Sequence, residues 1–141
     1  MPKKSYKMTY QEAKSLMIAA TESAARYNVP GAIAIVDDGG NPILLESLDN
    51  TMSSASDIAM GKAATAAAFK RPTIDLEDVI LDGRTPMLVL NSATSRAYVP
   101  LKGGYPIYFE NVLLGAIAVA GTMDANMDEV VVQEALKNKG W

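Results

Sequence analysis

The chain has 141 residues, 49% of them hydrophobic and 21% charged, a composition suited to a folded domain with a core rather than to a disordered segment. Its 13 basic and 16 acidic residues are mixed along the sequence (formal charge -3), with no basic block to bind nucleic acid. There is no cysteine and no histidine, which excludes disulfides, thiolate zinc sites, serine–histidine catalysis and any imidazole-ligated metal or haem iron.

Residues 1–8 read as a flexible basic tail and 9–141 as a single domain. The N-terminal stretch has charge but no apolar signal core, and no run approaches the roughly 20 apolar residues of a membrane span. The expectation is a cytoplasmic protein without a membrane partner. Thr9 and Glu12 form a T-x-x-E capping box that opens a helix over 10–27, with Ala13, Leu16, Met17, Ala20, Ala24 and Tyr27 on one face. Asn28 and Pro30 end it. GAIAIV at 31–36 is a short apolar run, the mark of a buried strand. Asp37-Asp38-Gly39-Gly40 turns the chain into PILLESL at 42–48, completing a hairpin.

SSASDIAMGKAATAAAFKRPT at 53–73 is a helix. Ser53 or Ser54 can cap its N-terminus, Asp57 lies in the first turn, and Lys70 and Arg71 answer the dipole at the other end. Pro72 stops it. Along the stripe Ala55, Ala59, Lys62, Ala66 and Phe69, everything is small or apolar except Lys62. A cation on a buried face needs an anionic partner, a route to water or a ligand.

A short helix follows over 73–84, ending at Gly83. The state of 87–90 stays open, and 91–102 is a polar loop or edge strand. Gly103-Gly104-Tyr105-Pro106 reads as a turn. Residues 107–109 and 112–120 make a second hairpin around Glu110-Asn111, and VLLGAIAVA, apolar on both faces, belongs at the centre of a sheet. Residues 121–126 turn the chain into a closing helix over 127–139. GAIAI and GAIAV read as two similar central strands. Hairpins interleaved with helices give an α+β fold with a mostly antiparallel sheet.

Lys62 is the first candidate for chemistry, as an anion-binding or catalytic lysine, or else as the partner of Asp37, Glu46 or Asp49 in a structural ion pair. Gly103 and Gly104 can aim two backbone N–H groups at a carboxylate or phosphate, or simply form a loop. Tyr105 beside them can orient a ligand. Arg71, Arg84 and Arg96 are fork-like donors suited to a carboxylate. Glu46, among leucines on its strand, is either a general base or a solvated strand residue. Asp37 is a second candidate base, though it also suits its turn. Asp124, Asp128 and Glu129 cluster as helix N-terminal acids and match no calcium loop.

Four pieces in register carry a resemblance: VPGAIAIVDDGGNPILLESLD, SDIAMGKAATAAAFKRPT, GGYPIYFENVLLGAIAVAG and the DE pair at 128–129. Together they resemble the GlcG/HbpS family of haem-binding or haem-degrading-like domains, related to the C-terminal domain of PduO-type proteins. The resemblance implies a profilin-like fold, a five-stranded antiparallel sheet flanked by helices, and a homo-oligomer, tetramer or octamer. Some members of such a family bind haem; others sit in catabolic operons or resemble enzymes that dehalogenate hydroxymuconates. The chain departs from the pattern in reading AVAGT at 118–122 and in lacking histidine, which leaves Met, Tyr105 or Tyr108 to ligate iron.

The reading that follows is a catabolic enzyme binding a small organic anion, a metal-free dehalogenating hydrolase or tautomerase acting on an unsaturated dicarboxylate. Lys62, Glu46 and Asp37 would be catalytic, and Arg96, Arg71, Gly103, Gly104 and Tyr105 would bind substrate, with no metal and no cofactor. The alternative is a non-catalytic module that binds haem, another tetrapyrrole or a small molecule.

Overall fold

The computed structural model describes residues 1–2 and 5–141. In chain order it contains α1 (Tyr10–Arg26), β1 (Ala32–Asp37), β2 (Pro42–Ser47), α2 (Ala55–Phe69) and α3 (Thr73–Leu81). A 3-10 turn at Thr85–Val89 runs into the one-turn α4 (Leu90–Ala93), followed by β3 (Gly104–Phe109), β4 (Val112–Ala120) and α5 (Ala125–Asn138). The sheet is antiparallel throughout, in the order β2-β1-β4-β3. This is the α+β architecture expected, with a correction in strand number. The resemblance implies five strands, and four are present among the described residues. Residues 85–102 supply no further strand because Pro86 opens a 3-10 turn there and a single helical turn follows, leaving no extended run to pair.

α1 begins as its capping box dictates. The Thr9 side chain accepts from the Glu12 N–H (3.0 Å), and the Glu12 carboxylate accepts from the Thr9 N–H (2.8 Å). Before it, the Tyr6 ring meets Phe109 edge-on at 5.1 Å and Lys7 pairs with Asp38 at 3.2 Å. Residues 3 and 4 of the expected tail lie outside the described residues. α2 starts without the serine cap foreseen: Ser54 has helical backbone angles and makes no side-chain cap bond. It ends with Lys70 in the left-handed conformation before Pro72.

The two similar apolar runs lie side by side, with Ile33 opposite Val119, Ala34 opposite Ala118 and Ile35 opposite Ile117. Alternation then sorts them by size. Ile33, Ile35, Ile117 and Val119 face α1 and α5, together with Leu16, Met17, Val131 and Val132. Ala32, Ala34, Ala116, Ala118 and Ala120 face α2, where they meet Ala55, Ala59, Ala63 and Ala66. Helices thus cover both faces of the sheet.

The reading of Gly103–Pro106 as a turn gives way to an edge strand. Gly104 pairs with Ala118, Tyr105 with Ile117 and Pro106 with Ala116. An edge is the place where a proline can join a ladder, because its nitrogen can face away from the partner. The Glu110-Asn111 turn has both residues at positive φ, as a tight two-residue hairpin requires.

Candidate functional site

Lys62 is 3% exposed, and its partner is none of the three carboxylates expected from the sequence. Its Nζ donates to Asp128 Oδ2 and to the Val119 carbonyl, both at 3.0 Å. The other carboxylate oxygen of Asp128 accepts from the Thr122 N–H (3.2 Å) and lies 2.5 Å from the Thr122 hydroxyl. Asp128 stands in the first turn of α5, where the helix dipole also favours an anion. The next residue, Glu129, accepts from the Gly103 N–H and from the Tyr105 hydroxyl, each at 2.6 Å. Gln133 donates to the same hydroxyl at 2.8 Å. The Gly104 N–H donates to Thr73 Oγ1 at 2.9 Å.

These bonds tie α2, α3, β3, β4 and α5 into one polar knot. Gly103 sits at φ +120, and a Cβ there would stand 2.6 Å from the Val119 oxygen and 2.9 Å from Lys62 Nζ. A side chain at 103 would therefore push the buried ammonium off its partners. Both glycine N–H groups already have acceptors within the chain, so they do not point into open space. Burial, reinforced by the bond to Glu129, pushes the Tyr105 phenol well above its ordinary pKa.

Above the Lys62–Asp128 pair opens a slot of about 370 Å³ between α2, α3 and the turn that leads into α5. Met52, Ile58, Leu101 and Met123 form its apolar walls. Glu77 and Lys102 stand at its rim, Nζ to Oε2 3.7 Å apart, and that Glu77 oxygen is buried without a hydrogen bond. A larger hollow of about 650 Å³ lies at the C-terminal end of α1, near Asn28 and Asp49. None of the residues proposed as catalytic or substrate-binding lines it, and no buried charge converges there. The slot is the better candidate because the buried ion pair forms its floor.

The structure does not assemble the other expected residues around Lys62. Glu46 is exposed on β2, opposite Ile33. Asp37 closes its own turn, accepting from the Gly39 and Asn41 N–H groups at 2.9 Å. Burial raises its carboxyl pKa, but these two N–H groups and the Asn41 side chain outweigh that and hold it below the usual value. Arg96 donates to the Gly40 carbonyl and to Asn41 Oδ1, so it braces the same turn. Arg71 is exposed just past the end of α2. Gly103, Gly104 and Tyr105 belong to the polar knot but do not line the slot. The sequence marks Asp128 and Glu129 as helix N-terminal acids but not as partners of Lys62 and of Gly103 and Tyr105, and it does not single out Met52 and Met123, which wall the slot. The DE pair was legible as one of the four matching pieces; nothing local marked the methionines.

Comparison with known proteins decides the family. A family model described as "Haem degrading protein HbpS-like" matches residues 8–137. The chain belongs to the HbpS-like family. Protein GlcG of Escherichia coli (strain K12) is 32% identical over 113 residues, which is 80% of this chain and 81% of GlcG. The solved complex of PduOC with haem superposes with a TM-score of 0.84 at 27% identity, covering 94% of each chain. A double mutant of Streptomyces reticuli HbpS superposes with a TM-score of 0.86 at 25% identity, covering 99% of this chain and 92% of the other. These likenesses overturn the expectation of a dehalogenating hydrolase or tautomerase of aromatic catabolism, and with it the expectation of no cofactor. The relatives' names speak of haem, and the scattered positions of Glu46, Asp37 and Lys62 supply no shared site for the hydrolytic reading. Among the described residues no helix is long and apolar enough to cross a membrane.

Proposed function

We propose that the protein binds a tetrapyrrole of the haem class in the slot above Lys62. The observation that carries this reading is the slot's division into apolar walls and a floor whose charges are already matched. A small dicarboxylate needs uncommitted cations, and Lys62 is committed to Asp128. A flat aromatic ring needs apolar walls on which to stack, and Met52, Ile58, Leu101 and Met123 offer them. Lys102, 24% exposed at the rim, would meet a ring carboxylate by exchanging its 3.2 Å bond to Asn126 and its loose 3.7 Å contact with Glu77. The apolar walls therefore fit the ring, whose acid groups would lie toward the water at the rim, while an imidazole bond to iron is impossible in a chain without histidine. A bound iron would add redox and ligand-exchange chemistry to a site whose own side chains only hold and orient.

Titration with hemin tests the reading. We expect a shifted Soret band that saturates near equimolar hemin. Lys102→Glu should weaken binding about tenfold, the equivalent of ~1.4 kcal/mol, and Leu101→Arg should obstruct it. No Soret shift at micromolar protein would sink the proposal.

We also propose that the protein self-associates. Leu81, Leu88 and Val89 are 75%, 56% and 64% exposed on the excursion from α3 to α4, and none of the residues Thr85–Ala93 is buried. Sedimentation of the wild type against Leu88→Lys checks this; a wild-type monomer at high concentration would refute it.

A further inference from the structure

Six residues other than glycine hold a positive φ among the described residues. Asn28 and Asn50 are asparagines, which tolerate that conformation. Lys70 closes α2, and Glu110 with Asn111 makes the tight turn of the second hairpin. Met123, at φ +75, has no such reason. It is also 77% exposed, more than any other large hydrophobic side chain except the N-terminal Met1. A long apolar residue held in a strained backbone conformation and left in water gains nothing from either. The strain is imposed from both sides. Gly121 packs so closely on α2 that a Cβ there would lie 2.6 Å from Ala55 Cβ. On the other side, the Thr122 hydroxyl lies 2.8 Å from the Asp124 carbonyl oxygen, and Asp124 caps α5. Strain that the surroundings over-determine is characteristic of ligand clamps.

Met123 lines the slot. The chain offers iron no imidazole and no thiolate. The two tyrosines considered as ligands are committed elsewhere, Tyr105 to Glu129 and Gln133 and Tyr108 to the Lys70 carbonyl (2.7 Å), and neither lines the slot. The soft donors that remain at the slot are the thioethers of Met52 and Met123. We infer that Met123 supplies a ligand to iron: its sulfur would bind the metal of a tetrapyrrole held in the slot, and its strained turn fixes its backbone at the slot's wall. Met52 serves as wall. This rests on the reading of the slot as a tetrapyrrole site.

The test loads the full chain with hemin and records the far-red absorption by which a thioether bound to ferric haem is recognised. Binding of metal-free protoporphyrin is measured alongside. The band is expected in the wild type and in Met52→Leu and absent from Met123→Leu. Metal-free protoporphyrin should bind the wild type and Met123→Leu alike, so that loss of the band reports a lost iron bond and not a lost site. Met123→Gly, suited to the left-handed backbone, should fold at least as stably and still lose the band. A haem spectrum unchanged in Met123→Leu, a band lost in Met52→Leu instead, or haem bound without the band would overturn the ligand assignment and leave the tetrapyrrole site standing. If neither haem nor protoporphyrin binds the wild type, both fall.

Discussion

The two faces of the sheet solve the same packing problem in different ways. Toward α1 and α5 the central strands present Ile33, Ile35, Ile117 and Val119, and the layer is filled by volume. Toward α2 they present alanines against alanines, and the layer is closed by proximity. The second solution buries less apolar surface per residue, but it draws the helix backbone close enough to touch other main-chain atoms. A Cβ on Gly104 would stand 2.8 Å from the Lys62 carbonyl oxygen. That closeness lets the buried ammonium of Lys62 reach the Val119 carbonyl and Asp128 at the rim of the sheet. The bulky face supplies stability, and the alanine face supplies position.

This contrast can be broken in order of expected effect. Removing one member of the buried pair, by Lys62→Met or Asp128→Leu, strands its partner and should cost about 3–5 kcal/mol in urea unfolding. The double variant should recover much of that loss, since two apolar groups leave no charge unpaired. A double variant as unstable as the sum of the singles would show that the pair is not the unit we describe. Ala34→Leu forces volume into the layer closed by proximity and should cost about 1–3 kcal/mol, with backbone displacement. Ile33→Val, next to it but on the bulky face, should cost only about 0.5–1.5 kcal/mol. Equal costs for the last two would erase the distinction between the faces.

Much of the fold was legible in the sequence because the signals were local. The Thr9–Glu12 box, the apolar runs of β1 and β4 and the stripe of α2 each declare themselves within a few residues, and burial of Lys62 followed from its stripe. What was hidden depended on distance along the chain. Lys62 and Asp128 are 66 positions apart, and several carboxylates competed for the role. The segment Gly103–Pro106 reads as a turn by composition, yet pairing with β4 overrides that preference. The slot was hidden for another reason. Its walls are ordinary apolar residues, and a sequence does not distinguish a methionine that fills a core from one that waits at an opening. The absence of histidine excludes an imidazole–iron bond, but it bears on neither the ring nor its acid groups.

Pro106 has a consequence for how copies of this chain can meet. Inside the β3 ladder its nitrogen faces the outer edge and carries no hydrogen, so a strand arriving there finds a gap in the row of donors. Pro42 opens the strand at the opposite edge. Both borders of the sheet thus carry a residue that discourages strand-by-strand extension. An assembly of this protein would then grow through its helices and loops, which meet once and stop, rather than through a sheet that could lengthen without limit.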